Sequence, residues 1–498
     1  MQDSVRSPKP LTQWILIGLF LVASYFLLFL HLDQQPLKNY DESFFALRAY
    51  RLAHYGEYLY NYKQFPDGPS GTNLKTPFFS MIQAASFKVF GYNELALRLP
   101  VAITVLLLLL WMIRFGKKEF GSLPFGLLSA AVLLTSWGFI HVHVSRTGDH
   151  DAPLAAFTLM ALMYLYKFFE WGDGRHLLVF TVFMVMASLT KGVAGLFVAP
   201  GMVVYALLRK KFVSCLKDKR VWLALGSFLF CVVGYYLYRE IDHPGFLRNL
   251  WLGELGGHFL KTRDGHKWPF FWFLSRMVSL KYTYWMVFLP IGLTMAFHPR
   301  FREYRHFTQL LLCAWLSIFL VISNSETKLE WYDASLYPIM AFMVGIGLTA
   351  LYEGGQNWQK ASGRIWPWVF GSFFVLAFFF APYRAVLNKT YQPKDNDYPG
   401  EYYGYLIKQA ERLFPEEKKY TIVFDGYSFH CLFYQLVYNQ QKGFQLSRKR
   451  KHEDVVPGEL IMSCQGGGTA YLRKNFETEN LTGIKGCVLM RIGKRKEE

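Results

Sequence analysis

Apolar runs separated by short polar breaks occupy most of the first 380 residues. Runs near 11–31, 94–113, 121–140, 152–169, 176–190, 192–208, 221–238, 277–297, 307–322, 334–351 and 365–382 predict about eleven transmembrane helices. Most approach the roughly 17–25 apolar residues that a bilayer demands. The two runs flanking Lys191 are shorter: about 15 residues at about 1.5 Å each span roughly 23 Å of a hydrocarbon layer near 30 Å. They predict a hairpin whose tip, Thr190-Lys191-Gly192, lies in a polar cavity, because a lysine facing lipid there is expensive.

The polar breaks carry their charge unequally. With Arg6 and Lys9 placed in the cytoplasm, the alternate loops on that side hold Arg114, Lys117 and Lys118, then Lys167 and Arg175. Arg209, Lys210, Lys211, Lys217, Lys219 and Arg220 follow, then Arg300, Arg302 and Arg305, and finally Lys360 and Arg364. The opposite face receives the acidic and aromatic loops 33–92 (within an amphipathic first external loop, 32–93), 145–151, 240–276 and 323–333. An odd number of spans puts the C-terminus outside. Residues 1–30 have no small-residue cleavage site before the long polar loop, so they read as a retained anchor.

The pattern changes near residue 383, which divides a membrane domain, 1–382, from a C-terminal domain, 383–498. Residues 391–403 are linker-like. Beyond them, 403–414 and 429–438 have helical spacing, and 420–425, 443–446, 459–462 and 488–492 read as strands. The expected fold class is therefore a polytopic α-helical membrane protein with a small extracytoplasmic α/β domain. Cys464 and Cys487 fall in that domain and can pair there; 493–498 is a solvated charged tail.

Composition agrees with the pattern. Hydrophobic residues make up 52% of the 498, and charged residues only 18%, where a soluble protein carries about 25%. A net charge of +18 would point to nucleic acid in a soluble protein; here its confinement to one set of loops points to a membrane. Six cysteines without CxxC or Cys/His spacing exclude a disulfide scaffold and a standard zinc module.

Four polar groups beside apolar runs are candidates for chemistry, with helix-end capping or snorkelling as the competing explanation. The first is Asp41-Glu42, opening the amphipathic stretch 43–55. It is either a helix N-cap or a carboxylate base at the membrane surface. The second is Lys75-Thr76-Pro77, a cation beside a proline-broken interfacial helix, suited to an anionic headgroup. The third, Arg146 to Asp151, combines an arginine with Asp149, His150 and Asp151. Those three can ligate a divalent ion, although capping of the helix near Pro153 explains them more simply, and no resident metal or other cofactor is assigned. The fourth runs from Ser323 to Tyr332, with Lys328 and Tyr332 four residues apart. Lys75, Arg146, Lys191 and Lys328 all project from one side of the membrane. Pooled, they form an electropositive cavity able to neutralise a buried phosphate, with Asp41 facing it. That arrangement suits transfer of a group from a lipid phosphate: the phosphate leaves readily, so the remaining need is a base for the nucleophile.

These segments resemble the C-type (GT-C) membrane glycosyltransferases, in the group of protein O-mannosyltransferases and the lipid A aminoarabinose transferase, over roughly residues 36–345. The matching elements are Asp41-Glu42, Lys75-Thr76-Pro77, 87–91 with 94–100, Arg146 with 151–154, 189–192, and Lys328 to Tyr332 with 336–338. The resemblance implies inverting transfer of a sugar from a polyprenyl-phosphate donor to a lipid or envelope-glycan acceptor outside the inner membrane. A protein acceptor is the nearest alternative. It implies Asp41 as base, Lys75 as donor-phosphate ligand, joined by Arg146, Lys191 and Lys328, with Glu42, Asp149, Asp151 and Tyr332 supporting. Phe44-Phe45 stand where the aminoarabinose enzymes have arginine and tyrosine, and Leu74 where they have a glutamate that helps hold zinc. Both departures argue against those two features here, with Arg48 or Arg51 as possible replacements for the arginine. A transporter or flippase would usually show inverted repeats and midplane charge; this chain has no evident repeat, and its charges crowd one face. A non-enzymatic scaffold would leave Lys191 and the Asp41–Lys75 loop without a purpose.

Overall fold

The computed structural model describes residues 10–58, 73–140, 143–253, 256, 265–362, 367–391, 399–424, 428–464 and 466–496. Arg6, Lys9, Arg364, most of the linker-like stretch, and parts of the external loops 33–92 and 240–276 lie outside them.

Among the described residues, twenty α-helices precede and interleave five strands. In order they are α1 (Pro10–Leu28), α2 (Asp41–Tyr55), α3 (Phe78–Phe90), α4 (Glu94–Glu119), α5 (Leu123–Leu134), α6 (Asp151–Trp171), α7 (Gly174–Lys191), α8 (Ala199–Leu208), α9 (Phe212–Lys217) and α10 (Lys219–Asp242). Then come α11 (Phe246–Leu250), α12 (Trp272–Arg276), α13 (Thr283–Met286), α14 (Phe288–Phe297), α15 (Arg305–Asn324), α16 (Leu336–Ser362) and α17 (Pro367–Tyr391). The last part comprises α18 (Tyr403–Leu413), β1 (Lys419–Val423), α19 (Phe429–Gln441), β2 (Gln445–Lys449), β3 (Leu460–Ser463), α20 (Gly466–Asn475), β4 (Phe476–Ile484) and β5 (Cys487–Arg495).

Among the described residues, eight helical segments are long and apolar enough to cross a membrane, against about eleven expected. The three other expected spans coincide with shorter apolar helices: α5, α8 and the α13–α14 pair. Local chemistry shortens them. The Thr135 and Ser136 hydroxyls bond back to the Ala131 and Val132 carbonyls where α5 ends. Beyond Lys191, the α7 run breaks at Gly192 (φ 61°) into a 3-10 turn, Gly192–Leu196, before α8 begins. Lys191 is the last residue of α7, and α7 with the 3-10 turn forms a 23-residue candidate span, Gly174–Leu196, longer than the run expected before Lys191.

Side-chain size decides which helices meet. α6 is buried along nearly its whole length and is the central helix, whereas α10 is apolar yet exposed almost throughout, the pattern of a lipid-facing span. Close crossings use small residues. A Cβ on Gly116 of α4 would lie 2.5 Å from Gly126 of α5, and one on Gly292 of α14 only 1.8 Å from the Met343 carbonyl of α16.

The C-terminal sheet has the order β2-β1-β3-β5-β4. β1 pairs in parallel with β2 and β3, and β5 runs antiparallel to β3 and β4. Four strands fall where the pattern predicts; β4 is additional. Cys464 and Cys487 form a disulfide joining the end of β3 to the start of β5. This part shares one hydrophobic core with the segment from Leu37 through α2, α3 and the start of α4: Leu37, Leu47, Tyr50, Phe87 and Leu97 pack with Leu406, Phe433 and Tyr434.

Candidate functional site

The site begins at the first turn of α2. Asp41 and Glu42 open it, where carboxylates complement the helix dipole, and Gly56 in the left-handed region (φ 69°) closes it. The two acids point to different tasks. Glu42 is fully buried and receives Arg98 Nε at 2.6 Å and Nη2 at 2.9 Å, with the backbone amides of Lys38 and Gly148 each at 2.8 Å. Burial alone would raise its pKa; the Arg98 guanidinium and these amides outweigh that and hold it below the ordinary value. Glu42 is therefore an ionised anchor tying α2 to α4 and to the 146–151 loop.

Asp41 is only half-buried. Its carboxylate interacts electrostatically with Lys191, Asp149, Asp151 and His143. Helical spacing puts Asp41, Phe45 and Arg48 on one face of α2. Phe45 stacks on His150 with ring centres 3.6 Å apart, and the Arg48 guanidinium lies 5.0 Å from Phe44 and 5.7 Å from Phe45. Lys191, Arg48 and Lys75 all act electrostatically on His150, so three cations approach this point from α7, α2 and the 73–77 segment. Complete burial, with that field added, holds His150 well below its ordinary pKa.

The segment carrying Lys75 is clamped by α10. Arg239 donates to the Asn73 carbonyl at 2.9 Å and Tyr235 to the Lys75 carbonyl at 3.3 Å; Asn73 in turn accepts from the Lys75 amide at 3.1 Å. Lys191 donates to Asp151 at 2.5 Å and sits 5.8 Å from the Tyr332 ring. Next to Tyr332, Trp331 stacks on His143 at 4.4 Å. His143 has φ 71° and approaches Asp149 to 3.3 Å. Burial works against the charged form of His143, but Asp149, Asp41 and Glu42 outweigh it, so its pKa rises; burial also raises that of Asp149.

Of the expected residues, Lys191, Asp149 and Asp151 therefore interact with Asp41, Lys75 joins Lys191 in acting on His150, and Tyr332 adjoins Lys191. The two other expected cations are engaged elsewhere. Arg146 donates to the Leu27 carbonyl at 2.7 Å and the Leu30 carbonyl at 2.8 Å, and lies 5.5 Å from the Tyr391 ring. It caps the end of α1, where unpaired carbonyls attract a cation. Lys328 binds the Ser325 carbonyl within its own loop, and its amide donates to the His266 carbonyl at 3.0 Å. The pooled cavity of four cations is thus corrected to Lys75 and Lys191, with Arg48 added. The Asp149, His150 and Asp151 side chains also diverge. Asp149 meets Thr147 and His143, Asp151 meets Lys191, and His150 meets Gln83 Oε1 at 3.0 Å and the Thr190 carbonyl at 3.4 Å. Among the described residues, no group of three or more His, Cys, Asp or Glu is placed to hold a metal ion.

Arg48 was legible as the residue seven positions beyond Asp41. His143 and Trp331 carry no such signal, because a left-handed turn and a loop from the far end of the chain bring them together.

Residues 74–238 match the family described as dolichyl-phosphate-mannose-protein mannosyltransferase. Two proteins of Aquifex aeolicus (strain VF5), both described as uncharacterized, are 26% identical to this chain. The first aligns over 351 residues, 69% of this chain but only 64% of its own length; the second over 332 residues, 65% and 69%. ArnT from Cupriavidus metallidurans, bound to undecaprenyl phosphate, superposes with a TM-score of 0.67 at 15% identity, covering 96% of this chain and 98% of that one. The oligosaccharyltransferase AglB from Archaeoglobus fulgidus, in complex with an inhibitory peptide and a dolichol-phosphate, gives 0.57 at 13%, covering 86% and 64%. The chain has the GT-C fold of these membrane proteins, as its sequence motifs imply.

Proposed function

We propose that the protein is an inverting glycosyltransferase that moves a sugar from a polyprenyl-phosphate donor to a lipid or envelope-glycan acceptor at the outer face of the inner membrane. The observation that carries this reading is the electrostatic convergence of Lys75, Arg48 and Lys191 on His150, with the half-buried Asp41 acting on the same Lys191. In the reaction, Asp41 takes the proton of an acceptor hydroxyl or amine as its lone pair attacks the anomeric carbon. The bond from that carbon to the phosphate oxygen breaks, and the polyprenyl phosphate departs with the electron pair. Lys75, on its clamped segment, binds the phosphate, and Arg48 adds to the positive field. Lys191 is partly neutralised by Asp151 and holds Tyr332 at the rim. Glu42, already saturated by Arg98, positions the helix that presents Asp41. In this reading the basic loops face the cytoplasm, and the site and the C-terminal domain lie in the periplasm.

A protein hydroxyl is the second acceptor reading, favoured by the family match over 74–238. Comparing envelope lipids and glycoproteins by mass spectrometry, with and without this chain, separates the two. For the mechanism, Asp41→Asn is expected to lower turnover at least a hundredfold (about 10² or more for a removed base) while the protein stays folded. Near-normal turnover would dismiss Asp41 as the base. Lys75→Ala is expected to raise the donor KM more than the acceptor KM, and an unchanged donor KM would dismiss its phosphate role.

A further inference from the structure

The residues leading into Asp41 are held from the C-terminal domain. Leu37, Lys38 and Asn39 are all buried. The Leu37 amide donates to Tyr434 Oη at 3.0 Å, and that hydroxyl donates onward to Glu94 at 2.7 Å. Lys38 Nζ reaches Glu401 at 2.8 Å, and the Asn39 amide donates to the other oxygen of Glu401 at 3.3 Å. His430 Nδ1 lies 3.1 Å from Asn39 Oδ1; the acceptor there makes Nδ1 the protonated nitrogen. One turn into α2, Phe44 packs on Phe429 with ring centres 4.3 Å apart.

Between this anchored segment and the anchored Glu42 lies Tyr40, with φ 71° and ψ −121°. A side-chain-bearing residue adopts such a conformation only where its surroundings impose it. The constraint comes from both flanks: Arg98 and Gly148 grip Glu42, and Tyr434, Glu401 and His430 grip residues 37–39.

We propose that the C-terminal α/β domain is a positioning element of the candidate active site, with His430 and Glu401 fixing the corner at Tyr40 that aims the Asp41 carboxylate. The inference rests on the reading of Asp41 as the base. It assigns the domain a task inside the reaction, where a separate binding module would leave turnover to the membrane helices. Misplacement of a base by about an ångström lowers turnover without weakening donor binding, since in that reading the phosphate is bound by Lys75, which lies on a separate segment.

The test uses the full-length protein in lipid nanodiscs, with His430→Ala, His430→Asn and Asp41→Asn beside the wild type. The Asn amide nitrogen can occupy the place of His430 Nδ1 and donate to Asn39. His430→Ala is expected to lower kcat about tenfold or more with the donor KM unchanged, and His430→Asn to restore it to within about threefold. Hydrogen exchange at residues 37–41 is expected to quicken in His430→Ala while that of α6 stays as in the wild type. Unchanged kcat in His430→Ala, with Asp41→Asn inactive, would overturn the inference. So would equal losses in both His430 variants without faster exchange at 37–41. Full turnover in Asp41→Asn would instead remove the base assignment, and the exchange result alone would then decide whether the domain fixes this corner.

Discussion

Replacing Arg98 by methionine removes the cation from a pair in which the exposure of both side chains is 2% or less. The change keeps the apolar stem and helix propensity of the position but leaves the Glu42 carboxylate buried without its counter-charge. Breaking such a pair from one side costs about 3–5 kcal/mol. Arg98 also donates to the carbonyls of Leu32 at 2.9 Å, Gln35 at 2.7 Å and Pro36 at 2.9 Å, so the loss falls at the upper end of that range. Against a total stability of about 5–15 kcal/mol, that is severe. Glu42→Gln removes the charge but leaves Arg98 on its three carbonyls, so it costs less, about 1.5–3 kcal/mol. The pH dependence is diagnostic. In the wild type Glu42 titrates below its ordinary 4.5, so its stabilisation is present above that value and is lost as pH falls through the lower folded pKa. Without Arg98, burial, the largest single influence, dominates and the folded pKa rises above 4.5. Arg98→Met should then gain stability on acidification from pH 8 to pH 5, a range over which the Glu42 contribution in the wild type is flat. Thermal unfolding in detergent of the wild type, both single variants and the double variant measures this cycle. A loss under about 1 kcal/mol, or no gain in stability on acidification, would refute the account of Glu42 as a buried charge balanced chiefly by Arg98.

Two further outcomes follow from the same geometry. The pKa of His143 is raised above its ordinary 6.5 because Asp149, Asp41 and Glu42 outweigh its burial. Its stabilisation is full below pH 6.5 and lost as pH rises through the folded value. An alkaline fall in turnover or unfolding temperature above pH 6.5 should flatten in His143→Gln; an identical pH profile in the variant would show that this pair does not titrate there. At the crossing of α8 and α15, a Cβ on Gly201 would stand 2.2 Å from the Cys313 carbonyl oxygen. Gly201→Val should therefore lower the unfolding midpoint by an amount typical of overpacking, about 1–3 kcal/mol. An unchanged midpoint would mean that the two helices separate freely.

The chain itself determined the membrane class, most of the helices, four of the five strands and the identity of Asp41, Lys75 and Lys191 as residues out of place among apolar neighbours. Periodicity and burial cost are local properties, readable wherever a charge interrupts a run of leucine and phenylalanine. Tertiary structure decided which of those charges meet. Arg146 and Lys328 have the same character as Lys75 and Lys191 in sequence, yet in the fold they donate to carbonyls at a helix end and in a short loop. His143 and Trp331 acquire a place only because residues 188 positions apart stack. The corner at Tyr40 likewise depends on His430 and Glu401, some 360 to 390 residues downstream. A sequence records each group's chemistry; which partner satisfies it first is a matter of distance and desolvation, and those exist only in the folded chain.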